Sequence, residues 1–317
     1  MVMKTTLKEL FEKEEIIICP EIYDCASAKA VEMVGFQSIL LSSGELSQSM
    51  LGVPDLGLLT LDEVVWATDR ICNMSPLPLI VDAEDGYGKP LNVYHTCKRL
   101  EKAGAGGILI TDQADVGKQG VLSVKEAVAK YKAAHTALEG SDCLLIARCD
   151  VNPERDMEEA AERCNKYIEV GADMTLLVKM HEVKGDKFEI CKEIAGRIPG
   201  WKVYPDLSSQ NGVPEVDLDA IAELGFKLVG VHYLLHAAML AMLDTGRHVF
   251  ENRDNVYVDE RYKYTGYNFF TPLTLFGLRD GHWVNLEKSF VDKDVPDEDL
   301  LSVRTRNYFC RPTDKVL

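Results

Sequence analysis

The stretch Leu77–Pro78–Leu79–Ile80–Val81–Asp82–Ala83–Glu84–Asp85–Gly86–Tyr87–Gly88 joins an apolar run to three acids, then to two glycines flanking an aromatic residue. Residues 77–81 have the length and composition of a strand buried on both faces. A buried parallel strand that ends in acids holds them at its carboxyl end, where α/β folds keep their chemistry. Oxygen ligands alone suit a hard cation such as Mg²⁺, which takes few protein ligands and keeps several waters. The glycines let the backbone turn sharply and approach a ligand closely. The plainer alternative is a polar loop whose acids face water.

Working outward, short apolar runs alternate with amphipathic stretches. Strands are predicted at Ile16–Cys19, Ser38–Leu41, Leu79–Val81, Gly107–Ile110, Leu144–Ala147, Met174–Val178, Lys202–Tyr204 and Leu228–Val231. Between and after them fall predicted helices at Ala26–Gly35, Thr60–Cys72, Val93–Ala103, Ser123–Leu138, Asp156–Val170, Lys184–Arg197, Asp217–Leu224 and Leu234–Leu243. Thr60 followed by Glu63 is a capping-box pair, and Ser42–Leu59 reads as a polar loop. Eight such alternations predict an α/β fold of the (β/α)₈ TIM-barrel type. The rival is an open doubly wound sheet, but no GxGxxG follows the first strand, which weakens its dinucleotide-binding form. Residues 1–245 are therefore read as the barrel. Residues 246–317 are read as a C-terminal extension that packs on the barrel or on a neighbouring subunit; its aromatic content argues against disorder.

The net charge of −16 argues against a nucleic-acid groove or an anionic membrane surface, since both would repel the chain. It leaves room for a small anionic substrate, because a bound cation reverses the local field. The nine cysteines include no CxxC pair, so neither a zinc ribbon nor a dithiol motif is indicated. Several lie in apolar segments, as reduced buried thiols do, which points to the cytoplasm. Met1–Glu15 carries Lys and Glu rather than an apolar core and reads as no signal peptide. No run of about 18 apolar residues predicts a membrane span.

In a barrel the residues after each strand converge on one mouth. Here they are Tyr23 and Asp24, Ser42–Ser43–Gly44, Asp82 and Glu84, Thr111 and Asp112, Arg148 and Asp150, Lys179 and His181, Asp206 and Ser208, and His232. The acids suit a divalent metal, Arg148 can clamp a carboxylate or phosphonate through paired hydrogen bonds, and the Ser42–Ser43–Gly44 turn can offer N–H groups to an anion. Plainer readings stand beside these. Arg148 can pair with Asp150 or Asp112, His181 and His232 can be structural, Lys179 can be solvated, and the serines can simply form the turn. Asp82 is the hardest to read plainly, since an unpartnered carboxylate ending a buried strand is costly.

The ordered set Tyr23–Asp24, Ser42–Ser43–Gly44, Leu51–Gly52–Val53–Pro54–Asp55, Val81–Gly88, Ala103–Gly104–Ala105, Thr111–Asp112–Gln113, Ala147–Arg148 and Gly171–Ala172–Asp173 resembles the isocitrate lyase / phosphoenolpyruvate mutase superfamily. The likeness covers about Leu7 to Leu243 and is strongest to short members such as methylisocitrate lyase, dimethylmalate lyase and oxaloacetate decarboxylase. The resemblance implies a barrel that binds Mg²⁺ (or Mn²⁺) and a small 2-oxo or 2-hydroxy acid, with chemistry through a metal-stabilised enolate. It implies Asp82 as direct metal ligand, Glu84 as the second acid acting through water, and Asp55 as support for the water shell. It also implies Ser43 and Gly44 on the substrate carboxylate, with Tyr23, Ser42 and Asp206 completing the substrate side, and Arg148 on the substrate's oxygens. Family members are homotetramers that exchange a C-terminal helix, so a homo-oligomer, tetramer or dimer, is expected.

Three departures bear on the reaction. Thr111 stands where the family usually has Glu, removing one water-mediated ligand. The mobile loop of the carbon–carbon lyases carries Cys and His; here it reads Gly117–Lys118–Gln119–Gly120. Val178 stands where His or Glu is common. Without the Cys, Lys118 or water must protonate the departing enolate, a role worth about 10²–10⁴ in rate. The expectation is thus a Mg²⁺-dependent lyase or decarboxylase of a small carboxylic acid. The alternatives are phosphonopyruvate-type mutase or hydrolase chemistry, and a degenerate carboxylate-binding member without turnover.

Overall fold

The computed structural model describes residues 5–114, 120–210 and 212–265, with single positions 283, 286, 289 and 290 beyond. Its strands are β1 (Ile17–Ile22), β2 (Ile39–Leu41), β3 (Leu79–Asp82), β4 (Gly107–Thr111), β5 (Leu144–Cys149), β6 (Met174–Leu177), β7 (Trp201–Tyr204), β8 (Ser209–Gln210), β9 (Val213–Pro214) and β10 (Phe226–Val231). Eight of them close into a barrel in the order β1-β10-β7-β6-β5-β4-β3-β2, with every neighbouring pair parallel. The short β8–β9 ribbon is antiparallel and stands apart from it. The (β/α)₈ architecture expected from the sequence is the one observed.

The period-two pleat of a strand sorts its side chains into two cores. Inside the barrel pack Ile17, Cys19, Leu40, Ile80, Leu109, Leu144, Ile146, Met174, Leu176, Val203 and Leu228, with Leu7, Leu10 and Phe11 of the first helix (α1, Leu7–Lys13) in the same cluster. The intervening residues face outward and join the larger core beneath the helices, among them Ile22, Ile39, Leu41, Leu79, Val81, Ile108 and Ile110. Stepping two residues past the last apolar inward position brings each strand to the mouth. There stand Glu21 after Cys19, Ser42 after Leu40, Asp82 after Ile80, Thr111 after Leu109, and Arg148 after Ile146.

The helix boundaries follow local chemistry. Thr60 and Glu63 form the anticipated capping box at the start of Leu61–Met74. Cys25–Val34 ends at Gly35, whose φ of +100° is the left-handed conformation that glycine adopts freely. Two segments differ from the sequence reading. Ser42–Leu59 is not loop throughout: Ser42 caps a short helix, Ser43–Leu46, which continues as a π turn over Ser47–Leu51. The first strand runs on past Pro20 to Ile22, because a proline removes only one donor from a parallel ladder.

The chain divides into two compact units, Met1–Ala237 and Ala238–Leu317. In the second, the stretch that begins within helix Leu234–Asn252 and the helix Val256–Thr265 are joined by Asp244, which takes hydrogen bonds from Tyr257 and Arg261. His248 stacks on Tyr257 with ring centres 3.8 Å apart. No described helix is long and apolar enough to cross a membrane.

Beneath the mouth, Asp112 ties β4 to β5 and to the outer helix Met157–Glu169. It is wholly buried and accepts hydrogen bonds from the Tyr167 hydroxyl at 2.7 Å and the Asp150 N–H at 2.8 Å. Arg163 lies 3.4 Å away, its charge otherwise shared with Glu159. Truncating one partner of such a group leaves the other charge buried and uncompensated. Asp112→Ala should therefore destabilise the fold by about 3–5 kcal/mol, read as a lower midpoint in denaturant unfolding.

Candidate active site at the barrel mouth

The polar residues that top the strands surround a cavity of about 320 Å³. Its floor is apolar (Leu40, Leu109, Leu176, Val203, Leu228), and its polar wall carries two groups of charged side chains.

One group gathers around Asp82, from β3, β5 and the segment after β2. Asp82 is the last residue of β3. Its Oδ1 accepts the Glu84 N–H at 3.0 Å and its Oδ2 accepts the Ser43 hydroxyl at 3.2 Å. Arg148 Nη1 lies 3.9 Å from the same Oδ2. Burial pushes the Asp82 carboxyl up to about 6; Arg148 and the Glu84 N–H pull against this, while Glu21 and Asp55 add to it. Glu84 is buried behind Asp82, off the cavity wall, and its Oε1 has no protein hydrogen-bond partner. Burial first, then the charges of Asp82 and Asp55, push it to about 9.

The loop that carries Glu84 is strained. Glu84 (φ +53°) and Tyr87 (φ +59°) both take the left-handed conformation that side chains disfavour. Gly86, at φ +81°, has no room for a Cβ, which would meet Val93 Cγ2 at 2.6 Å. Strain of this kind persists only where the surroundings over-determine it, and it gathers at functional sites. Asp55 sits at the rim against Gly44, where a Cβ would come within 3.4 Å of its Oδ2.

Arg148 resolves one alternative left open by the sequence. Its Nε and Nη2 fork onto Asp150 at 3.0 and 3.1 Å, so Asp150 is the partner that fixes its plane. Nη1 is left facing Asp82 and the cavity. Burial works against the charge, but Asp150 and Asp82 hold Arg148 above its ordinary value. Thr111 also donates to Asp150, so the residue that departs from the family pattern stiffens the arginine's support.

The second group comes from β1, from the turn after β10, and from Glu45 on the short helix Ser43–Leu46. His232 Nε2 lies 2.6 Å from Glu21 and Nδ1 lies 3.1 Å from Asp206. Burial lowers its proton affinity, yet the two carboxylates raise it on balance to about 10, so this imidazole is an imidazolium at neutral pH. Glu45 is buried, and neither of its oxygens has a hydrogen-bond partner among the described residues. Burial and Glu21 push it to about 7, with His232 opposing.

Of the sequence candidates, Ser42, Ser43, Gly44, Asp55, Asp82 and Arg148 line this one cavity. Ser42 also accepts the Glu45 N–H as helix cap, and Asp206 holds His232 rather than facing the cavity. Tyr23 is half-buried beside it and off its wall. Asp24 caps the helix Cys25–Val34. Lys179 and His181 turn aside on a 3₁₀ turn, to Glu182 and to the Val178 carbonyl, while Val178 itself lines the cavity. Lys118 lies outside the described residues. Sequence reasoning missed Glu21 and Glu45; an acid two positions beyond an inward-facing cysteine, and another just past the serine turn, were the available signals.

Among the described residues, no group of three or more His, Cys, Asp or Glu side chains is arranged to hold a metal ion. Mg²⁺ does not require such a cage, since it is commonly held by one or two carboxylates and waters. The donors around Asp82 fit it. They are hard oxygens, buried and crowded enough to raise both the Asp82 and the Glu84 carboxyl, and the Glu84 oxygen without a donor among the described residues is what a water on the ion would satisfy.

The sequence profile of phosphoenolpyruvate phosphomutase matches residues 7–250. The chain is 36% identical over 263 residues to the chloroplastic carboxyvinyl-carboxyphosphonate phosphorylmutase of Arabidopsis thaliana, covering 79% of this chain and 75% of the relative. It is 34% identical over 229 residues to the 2-methylisocitrate lyase of Aeropyrum pernix, covering 70% and 71%. Oxaloacetate acetylhydrolase in complex with oxalate superposes with a TM-score of 0.77 at 25% identity, over 90% of this chain and 98% of that one. A 2,3-dimethylmalate lyase described as a PEP mutase/isocitrate lyase superfamily member gives 0.76 at 25%, over 90% and 99%. With the profile spanning the whole barrel, this chain belongs to the phosphoenolpyruvate phosphomutase family, within the isocitrate lyase / PEP mutase superfamily that its strand ends resemble.

Proposed function

We propose that the protein is a Mg²⁺-dependent carbon–carbon lyase or decarboxylase acting on a small 2-oxo or 2-hydroxy carboxylic acid. The observation that carries this reading is the convergence of Asp82, Ser43, Gly44 and Arg148 on one cavity, with Asp82 and Glu84 crowded at its edge. Asp82 would hold the ion, with Glu84 and Asp55 supporting its waters; Mn²⁺ takes the same oxygen set. When bound, the ion supplies Lewis acidity toward the acid's oxygens.

The chain's own residues do the rest. The first-turn N–H groups of Ser43 and Gly44 have no intrahelical acceptor and are free to bind the substrate carboxylate. Arg148 Nη1 points to the substrate's oxygens, held by the Asp150 fork so that little freedom is lost on binding. The Ser43 hydroxyl fixes the orientation of Asp82. The apolar floor keeps water from beneath the reacting atoms. This reading further assigns residues 1–245 to the catalytic barrel and residues 246–317 to subunit contacts in a cytoplasmic homo-oligomer. A phosphonate reaction is the second reading, favoured by the Arabidopsis relative, whose name describes a phosphorylmutase.

With Mg²⁺ present, the methyl protons of pyruvate should exchange with solvent deuterium, followed by NMR. No exchange with pyruvate, oxaloacetate or succinate would overturn the lyase reading, and phosphate release from phosphonopyruvate would favour the second. Asp82→Asn should weaken Mg²⁺ binding beyond the roughly 10–100-fold typical of supporting residues, and Asp55→Asn should fall within that range, both by calorimetry.

Protons and the ion compete for Asp82 and Glu84, whose carboxyls titrate near 6 and near 9. The thermal stabilisation given by a fixed Mg²⁺ concentration should therefore grow between pH 6 and pH 9. In EDTA the sign is opposite. Raised carboxyl values favour the folded state below about pH 4, and that contribution is lost as pH rises through about 6 and about 9. A melting-temperature series with and without the ion reads both slopes.

A further inference from the structure

Glu21, Glu45 and His232 also line the cavity and have no role in the reading above. Glu45 is the most conspicuous: 5% exposed, on the cavity wall, with both oxygens lacking a donor among the described residues. Of the basic side chains on that wall, two are already matched, and the third, His236, gives Glu45 no hydrogen bond. Arg148 is forked onto Asp150, and His232 is held between Glu21 and Asp206. Glu21 is thus committed to His232, and Glu45 is left facing a second carboxylate with no positive partner of its own. A buried acceptor without a donor is costly, so the site is completed by whatever brings a donor to it. At neutral pH the Glu45 carboxyl is close to half-protonated, so an arriving cation would readily convert it to the carboxylate.

We infer that Glu45, backed by Glu21, receives an ammonium group of the substrate, so that the acid held by Asp82 and Arg148 also carries an amino group. This rests on the assignment of Asp82, Ser43, Gly44 and Arg148 to the metal and the substrate carboxylate. The cavity then takes an anion and a metal on one set of residues and a cation on another. A substrate with a further carboxylate at that position would meet Glu21 and Glu45 and be repelled. The specificity so defined differs from that of a tricarboxylate lyase built on the same barrel.

The test is calorimetric binding to the full chain in saturating Mg²⁺. Three 2-hydroxy acids of matched length serve as probes: 4-amino-2-hydroxybutanoate, 2-hydroxypentanoate and 2-hydroxypentanedioate, ending in ammonium, methyl and carboxylate. Oxalate is the fourth and reports on the metal end alone. The ammonium acid should bind about tenfold more tightly than the methyl acid, as a charge-assisted hydrogen bond warrants, and the carboxylate acid should bind most weakly. In Glu45→Gln the ammonium advantage should shrink to within about threefold, as expected when a neutral acceptor replaces the charged one. The series on the unaltered chain stands by itself should that variant not fold. If oxalate binds but the methyl or carboxylate acid equals or exceeds the ammonium acid, the inference is overturned and the metal–carboxylate reading survives. If oxalate fails to bind, that reading falls and the inference falls with it.

Discussion

A closed parallel barrel allows its inward-facing side chains only one periodicity, and the site depends on that constraint. With a repeat of two, Ile17, Cys19 and Glu21 must share a face, as must Ile80 and Asp82, and Leu144, Ile146 and Arg148. The lower members pack as an apolar plug because nothing polar could be satisfied there. The uppermost members reach the mouth, where chemistry and solvent are available. A one-residue slip in β3 would bury Asp82 among the outer helices and turn Val81 into the cavity, so register and function are fixed together. Parallel pairing adds the cross-strand neighbours: Asp82 stands beside Leu109, and Thr111 beside Arg148.

Packing decides which groups meet; charge decides what they can do once together. Glu21, Glu45, Asp55 and Asp82 line the cavity with Glu84 just behind, against Arg148 and a protonated His232. Arg148 and His232 are each held by two acids, so neither neutralises the surplus. The surplus appears as raised proton affinity at Asp82, Glu84 and Glu45, all driven up mainly by burial. An apolar core would avoid this arrangement altogether; a mouth that binds cations needs it.

The sequence made the strands legible because short apolar runs punctuated by glycine leave little choice, and it made Asp82 and Arg148 legible because a charge ending such a run must face the mouth. It was less informative where backbone detail decides. Pro20 read as the end of the first strand, which hid Glu21. The serine-rich segment after β2 read as loop, which hid the helical turn that aims Glu45 inward. Lys179 and His181 follow β6 as closely as Arg148 ends β5, yet a 3₁₀ turn starting at Val178 carries them away from the cavity. No strand-end rule anticipates such a turn. Asp112 has the composition of a metal ligand, but its side-chain donors, Tyr167 and Arg163, come from a helix more than 50 positions distant.

Thr111 shows how one departure can reshape a site without emptying it. A glutamate there would add a further acid to a corner in which the Asp82 and Glu84 carboxyls are already raised. The hydroxyl instead donates to Asp150, the same carboxylate that orients Arg148. The corner that would hold the ion therefore carries fewer acids than the family pattern provides, while its arginine is more firmly set. Glu21 and Glu45 add acids to the same cavity that this corner does not use. The negative potential is thereby spread along the cavity wall, and a ligand's orientation becomes a matter of which neighbours each of its charges can tolerate.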